Sequence, residues 1–179
     1  AQKPYPVTKE MVLAAMDEAG VDRAVVIPPS WEGDYNDLVL EAAQRHPDRF
    51  GPMGRLAVEK AESRDRVPGW KQQPGMLGIR LTFHIPEHRK MLFDGTADWL
   101  WPIAERCGIP IMVYAPTSVR KFEEVAARHP GLRLVIDHLA LGVHARGNLA
   151  FVELADVCRL ARFPNVAVKA SALPCHTML

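Results

Sequence analysis

One hydrophobic pattern recurs along the chain: a helix with one apolar face ends at a short turn, and a short apolar strand follows at once. Five segments show this pattern, MDEAGVDRAVVIP, AAQRHPDRFGPMGRL, IAERCGIPIMVYAP, AARHPGLRLVIDHLAL and RLARFPNVAVKASAL. Their turns carry glycine or proline, the residues that end helices. A further strand, at 76–83, follows the looser turn at 72–75. The sequence therefore predicts about six consecutive strand–helix units.

The predicted strands are almost continuous runs of valine, isoleucine and leucine, as at 24–27, 109–113 and 132–136. Such strands are buried on both faces, which is typical of a parallel sheet covered by helices. Strand starts recur at intervals of roughly 24–33 residues, close to the length of one unit in an eight-fold (β/α) barrel of ~250 residues. With 179 residues, the chain has room for about six of the eight units.

The strand at 79–84 favours a barrel over an open sheet. Its alternation puts Arg80, Thr82 and His84 on the face opposite to its three apolar residues. Charged groups on an inner face are expected at the mouth of a barrel, where catalytic residues project from the strand ends. We therefore predict an α/β fold, a TIM-type (β/α)8 barrel that is incomplete here, as a single partial domain over residues 1–179. The polar segment 60–75 is predicted to be a surface excursion.

Composition narrows the classes of function. The chain is 48% apolar and 24% charged with a net charge of +1, which suits a globular domain and gives no basic patch for nucleic acid. No apolar run is long enough to span a bilayer, and the first residues lack the hydrophobic segment of a signal peptide. We expect a cytoplasmic protein with neither a membrane nor a nucleic-acid partner. Three widely separated cysteines argue against a disulfide framework or a structural zinc site.

Polar side chains follow the predicted strands at their carboxyl ends, where a barrel would bring them to one mouth. His138 is the sharpest candidate, because it follows the buried run Leu134–Ile136 and Asp137 directly. A histidine there can act as a general base, a metal ligand or an electrophile, or it can be a buried histidine bonded to a backbone carbonyl. Tyr114 ends another strand, where it can bond a substrate oxygen or simply pack.

Three cations also stand at strand ends: Arg55, Arg80 and Lys169. Together they could receive the carboxylates of a small anionic substrate. The alternative is that each cation pairs with a local acid such as Asp137 or Glu32.

The remaining histidines separate by position. His46 and His129 precede prolines at helix ends and are predicted to be structural. His84 and His176 lie near strand ends and stay candidates for the site. Cys175 is adjacent to His176, but neighbouring side chains rarely face each other, so a nucleophilic pair is disfavoured.

Six of these segments, in their order along the chain, resemble the amidohydrolase-related (amidohydrolase-2) family: MDEAGVDRAVVIPPSWEGDYN, HPDRFGPMGRL, GMLGIRL, GIPIMVYAP, HPGLRLVIDHLAL and FPNVAVKASAL. The resemblance is greatest to the lactonase-like branch that includes 2-pyrone-4,6-dicarboxylate lactonase and sulfomuconolactone hydrolase. It covers residues from about 7 to 172. It implies that the strands here are the second to seventh of an eight-stranded barrel.

By this resemblance, the chain would be a hydrolase acting on a small carboxylated lactone, ester or amide. His138 would match the histidine of the sixth strand, and Arg80 an arginine that grips a substrate carboxylate. Tyr114 and Ser30 would lie beside the substrate. Relatives also decarboxylate acidic substrates, so carbon–carbon cleavage is the alternative reaction.

The departures from the family pattern concern its metal and its water-activating residue. The family's first strand carries a His-x-His pair and its eighth carries an aspartate, and neither motif occurs in the 179 residues. A divalent metal such as zinc and a metal-independent reaction both stay open, and we expect this chain alone to be a poor catalyst. A non-catalytic degenerate barrel is the other alternative. Its unpaired strand edges would favour a homo-oligomer or a complementing partner.

Overall fold

The computed structural model describes residues 6–142 and 144–173, apart from the side chain of Glu32. The candidates Cys175 and His176 therefore lie outside the described residues. Seven α-helices are described, and the strands and helices alternate in the order that the sequence predicts. The helices are α1 (Lys9–Glu18), α2 (Asp37–Arg45), α3 (Ser63–Arg66), α4 (Pro86–Phe93), α5 (Leu100–Arg106), α6 (Lys121–Arg128) and α7 (Leu154–Arg159).

Six parallel strands form one sheet, and their spatial order is the same as their order along the chain. They are β1 (Ala24–Val26), β2 (Phe50–Arg55), β3 (Gly78–Thr82), β4 (Ile111–Tyr114), β5 (Leu134–Ile136) and β6 (Val166–Val168). Crossovers between parallel strands share one hand, so a sequential order places the helices on one face. An open doubly wound sheet would instead reverse its strand order part-way.

The sheet curls, because residues from its two edge strands line the same cavity. Ser30 follows β1 and Lys169 follows β6, yet both border one space of about 610 Å³. In a flat sheet, five strand spacings of ~4.8 Å would hold these positions about 24 Å apart. The predicted incomplete TIM-type barrel is confirmed.

The hydrophobic core lies between the outer face of the sheet and the helices. Ile79 and Leu81 on β3, with the corresponding residues of β4 and β5, are buried against Leu100 of α5 and Phe122 of α6. Arg80 and Thr82 point to the inner face, as the alternation predicts. The sheet therefore offers an apolar face to its helices and a polar face to the barrel interior.

Short 3-10 helices occupy several of the connections. They cover Ser30–Glu32, Trp70–Gln72, Asp137–Ala140, Gly147–Phe151 and Leu160–Arg162. The segment 60–75 is not merely a surface excursion, and for Val67 and Trp70 that prediction is wrong, because both are fully buried. The indole nitrogen of Trp70 donates a hydrogen bond to the carbonyl of Gly78 at 2.9 Å, which ties this segment to the start of β3.

Gly78 lies where the start of β3 passes close to the backbone just before β4. A β-carbon there would lie 2.4 Å from the carbonyl oxygen of Pro110 and 3.0 Å from the side chain of Met53. Real β-carbons do not approach a backbone oxygen this closely, so β3 and β4 can pair in their observed register only with glycine at this position. Among the described residues, no helix is both long and apolar enough to cross a membrane.

Candidate active site

The cavity lies at the carboxyl ends of the strands, inside the curl of the sheet. All six side chains predicted for the site line it: Ser30, Arg55, Arg80, Tyr114, His138 and Lys169. They come from all six strands, either from the strand itself or from the residues shortly after it. The fold thus brings together residues that are up to 139 positions apart from Ser30 to Lys169.

Asp137 is the carboxylate around which two of the cations gather. It is completely buried, and its Oδ2 lies 2.9 Å from Nε and 2.7 Å from Nη2 of Arg80. Its Oδ1 lies 2.8 Å from Nζ of Lys169. The alternative of pairing with a local acid is therefore realised for Arg80 and Lys169. Both still border the cavity, so the cluster presents net positive charge to a ligand.

Arg55 is buried differently. Its guanidinium donates to the carbonyl of Gly33 at 2.9 Å and to the hydroxyl of Thr82 at 2.8 Å. Within the described residues, no carboxylate lies within ion-pair distance of it; the side chain of Glu32, the suggested partner, lies outside them. Arg55 is therefore a buried cation that forms no ion pair with a described side chain, although the charge of nearby Asp34 opposes the lowering of its pKa.

Asn36 fixes the backbone that carries Arg55. Its side-chain oxygen accepts from the amide of Arg55 at 2.7 Å, and its side-chain nitrogen donates to the carbonyl of Arg55 at 3.0 Å. This reciprocal pair imitates the hydrogen bonding of a neighbouring strand. It holds the end of β2 in place at the rim of the barrel.

The charges in the cavity shift two pKa values. Burial, and then the charge of Arg80, lower the pKa of Arg55 to about 10, which leaves the guanidinium charged at neutral pH. Burial also lowers the pKa of His84 below its ordinary value, and the nearby His88 and Arg80 lower it further. Nδ1 of His84 is buried and has no hydrogen-bond partner among the described residues. At neutral pH the cavity is thus lined by charged arginines and a neutral His84.

His138 stands on an unusual turn at the end of β5. His138, Leu139 and Ala140 all have positive φ, at 53°, 52° and 57°. Non-glycine residues in this region cost of order 1–3 kcal/mol each, and such strain clusters at functional sites. Nδ1 of His138 lies 2.8 Å from the hydroxyl of Ser171, which orients the imidazole.

Tyr114 stands between the histidine and the arginine. Its ring centroid lies 5.7 Å from that of His138, and the guanidinium carbon of Arg80 lies 5.6 Å from it. Its hydroxyl donates to the carbonyl of Leu141 at 2.8 Å. Tyr114 therefore packs against the side chains of His138 and Arg80 and also anchors the turn that carries His138.

The described residues do not form a metal site. No cluster of three or more histidine, cysteine, aspartate or glutamate side chains suited to a metal ion occurs in 6–142 or 144–173. His84, His138 and Asp137 are the side chains of these types that border the cavity, and both oxygens of Asp137 already contact cations. This donor set does not fit a zinc centre, which requires at least three protein ligands.

His46 and His129 do not border the cavity. Nδ1 of His129 lies 2.9 Å from Glu105, and this hydrogen bond lowers the pKa of that carboxyl. His46 packs edge-on against Phe50. Both contacts fit the structural roles predicted for these two residues.

The sequence places Thr82, Asn36 and Ser171 after or near strand ends but does not predict their hydrogen bonds; of the three, Thr82 borders the cavity. Thr82 was recognisable as an inward-facing neighbour of Arg80 on the same strand, but nothing in the sequence reveals that it touches two guanidinium groups. Asn36 and Ser171 act through hydrogen bonds to residues 19 and 33 positions away, respectively. Such pairings become visible only once the strand register is known.

The chain belongs to the amidohydrolase family, whose model matches residues 1–176. This confirms the family that the sequence motifs indicate. A search of curated proteins finds no match.

Several solved structures share the fold. One, from Acinetobacter baumannii, is described as a probable 2-pyrone-4,6-dicarboxylic acid hydrolase with citric acid bound; it is 19% identical, with a TM-score of 0.70 over 99% of this chain and 64% of that one. An amidohydrolase from Burkholderia multivorans with bound zinc is 18% identical, with a TM-score of 0.77 over 96% of this chain and 61% of that one.

A 5-carboxyvanillate decarboxylase from Novosphingobium aromaticivorans with bound manganese also aligns. It is 18% identical, with a TM-score of 0.63 over 78% of this chain and 55% of that one. This chain therefore spans less than two thirds of the length of the structures it resembles. At these identities the likeness establishes a common barrel fold.

Proposed function

We propose that the protein is a hydrolase that acts on a small carboxylated lactone, ester or amide. The observation that carries the proposal is the convergence of Arg55, Arg80 and Lys169 with His138 on one cavity at the carboxyl ends of the strands. Barrels of this type place their active sites at that end. The cations bind the carboxylates of the substrate, and His138 contacts the carbonyl group that reacts.

The charge of the cavity favours a dianion. Three cations and the single carboxylate of Asp137 leave two net positive charges among the described lining residues. A ligand with two carboxylates would balance them, whereas a monoanion would leave one buried cation uncompensated. This fits the dicarboxylic acid named in the description of the Acinetobacter structure.

The reaction requires a polarised carbonyl and a water molecule. The carboxylates on Arg55 and Arg80 orient the substrate, and His138 polarises its reacting carbonyl or stabilises the oxyanion that forms when water adds. The C–O or C–N bond then breaks, and the leaving oxygen or nitrogen takes the proton that was removed from the water. By family resemblance, the base that deprotonates water is an aspartate of another strand of the whole barrel, so we expect slow turnover by these residues alone.

Decarboxylation of an acidic substrate is the second candidate. The same cations would hold the carboxylates, and the fold is shared with the 5-carboxyvanillate decarboxylase of Novosphingobium. The two reactions differ in product, because hydrolysis adds water to the substrate and decarboxylation removes carbon dioxide.

Binding is the primary test, with isophthalate as a stable dicarboxylate that cannot be hydrolysed. Calorimetry should show that isophthalate binds at least about tenfold more tightly than isophthalate monoamide or benzoate, because each of these lacks one charge-assisted contact. Equal affinity for all three would contradict the proposal.

Turnover is the secondary test. Incubation with 2-pyrone-4,6-dicarboxylate, followed by mass spectrometry, distinguishes a product with added water from one that has lost carbon dioxide. The variant His138→Asn serves as the control and should abolish whichever product the wild type forms. A product that persists in this variant would remove His138 from the reaction.

A further inference from the structure

The strand register places two arginines directly opposite each other inside the barrel. Arg55 of β2 pairs with Arg80 of β3, and both side chains point to the interior. Like charges opposite each other on neighbouring strands are destabilising. Asp137 compensates Arg80, whereas among the described side chains no carboxylate pairs with Arg55.

Thr82 is the residue that joins the two guanidinium groups. It lies two positions after Arg80 on the same face of β3, and it is itself buried. Its hydroxyl oxygen accepts from Nη2 of Arg55 at 2.8 Å and from Nη1 of Arg80 at 3.2 Å. No other described side chain contacts both arginines through hydrogen bonds.

The Thr82 hydroxyl has one hydrogen-bonding group that its contacts with the described residues do not use. A threonine hydroxyl has two acceptor lone pairs and one donor hydrogen. The two arginines occupy both lone pairs, and the hydroxyl has no acceptor among the described residues. Since Thr82 borders the cavity, its O–H is available to a ligand there.

We propose that Thr82 is a positioning residue that sets the spacing of the Arg55 and Arg80 guanidinium groups and donates a hydrogen bond from its hydroxyl to the ligand carboxylate that Arg55 binds. This inference rests on the proposed function, because it assumes an anionic ligand in the cavity. The lowered pKa of Arg55 supports it, since burial beside Arg80 makes that cation costly until an anion arrives. The fixed spacing of the two arginines thereby adds a geometric requirement to the charge selectivity that the arginines supply.

The test compares Thr82→Val with Thr82→Ser. Valine keeps the shape of threonine but has no hydroxyl, while serine keeps the hydroxyl. Calorimetric affinity for isophthalate should fall roughly tenfold in Thr82→Val and stay within about threefold of the wild type in Thr82→Ser. Equal affinities in the two variants would overturn the proposal. Thr82→Ala replaces the valine variant if circular dichroism shows that the latter does not fold.

A double-mutant cycle with Arg55→Gln separates positioning from a general structural role. If Thr82 acts through Arg55, Thr82→Val should cost less than about twofold in the Arg55→Gln background, against tenfold in the wild type. An equal loss in both backgrounds would show that Thr82 acts independently of Arg55 and would overturn the inference.

The wild-type measurement distinguishes the two proposals. If the wild type does not bind isophthalate, the proposed function fails and this inference fails with it. If the wild type binds isophthalate and Thr82→Val binds equally well, only the role of Thr82 is rejected.

Discussion

Arg80 and Asp137 lie 57 positions apart in sequence, and they are joined by two contacts of 2.9 and 2.7 Å inside the barrel. Arg80 belongs to β3, and Asp137 follows β5 directly, so the pair reaches across β4. Two strand spacings of ~4.8 Å separate β3 from β5, and the long Arg80 side chain spans them on the inner face of the sheet. The ion pair therefore links two non-adjacent strands of the barrel, and both of its residues also border the cavity.

Asp137→Asn should destabilise the fold strongly. The substitution leaves Arg80 buried without its counter-ion, and breaking a buried pair of this kind costs about 3 kcal/mol or more. Urea denaturation followed by circular dichroism measures the loss. Asp156→Asn is the matched control, because Asp156 pairs with the largely exposed Arg120 and should cost less than about 1 kcal/mol. Equal losses in the two variants would mean that the inner ion pair does not hold the sheet.

Tyr114→Phe should affect stability more than ligand binding. The tyrosine hydroxyl donates a hydrogen bond to the buried carbonyl of Leu141. In the phenylalanine variant this carbonyl would lose its partner, at a cost of about 1–3 kcal/mol. The affinity for isophthalate should change by less than about threefold, because the hydroxyl hydrogen is not offered to the ligand. Unfolding curves and calorimetry on the same protein provide both values. A tenfold loss of affinity at unchanged stability would instead make Tyr114 a substrate contact, as the family resemblance implies.

Gly78→Ala should weaken the pairing of β3 with β4. Its methyl group would meet the carbonyl oxygen of Pro110 at 2.4 Å, and a backbone atom cannot yield as a flexible side chain can. We expect a loss of about 2 kcal/mol or more in the free energy of unfolding. Gly69→Ala is the control, since its nearest neighbour is the Gln72 side chain at 3.6 Å. A loss below about 0.5 kcal/mol for Gly78→Ala would contradict the observed strand register.

His84 should respond to both pH and ligand. Because its pKa is lowered in the folded protein, the unfolded chain binds a proton more readily, at a pKa of about 6.5. The contribution of His84 to folding stability is therefore present above that value and is lost as the pH falls towards the folded pKa. An NMR titration should give a pKa below about 6.5 for the free protein and a higher one with isophthalate bound, since an anion favours the charged imidazole. A pKa that isophthalate leaves unchanged would place the anion elsewhere.

The sequence was sufficient for the class of fold because its signals are local. Apolar strand runs and glycine or proline turns predict the order of the elements, and the alternation around Arg80 predicts which side chains face inward. The converging side chains were predictable for the same reason, since residues after parallel strands must gather at one end of a barrel. Each of these inferences needs only the residue periodicity of helices and strands, and none needs knowledge of contacts between residues that are distant in sequence.

The electrostatics of the site were not predictable in the same way. Whether Asp137 pairs with Arg80 or with Arg55 depends on the positions of these side chains across β4, which local sequence patterns do not give. The burial of Trp70 was missed because its segment of 16 residues is rich in charge. Only two of its apolar residues, Val67 and Trp70, are fully buried, and two residues give no clear hydrophobic pattern. The left-handed turn at His138 could not be predicted either, because none of its residues with positive φ is a glycine.

The location of a bound dianion tests the central claim most directly. In a crystal structure of the complex with isophthalate, we expect one carboxylate about 3 Å from the guanidinium of Arg55 and from the Thr82 hydroxyl, inside the cavity. The second carboxylate should face Lys169 and Arg80. Isophthalate bound only outside the cavity, or within it without touching Arg55, would contradict the account.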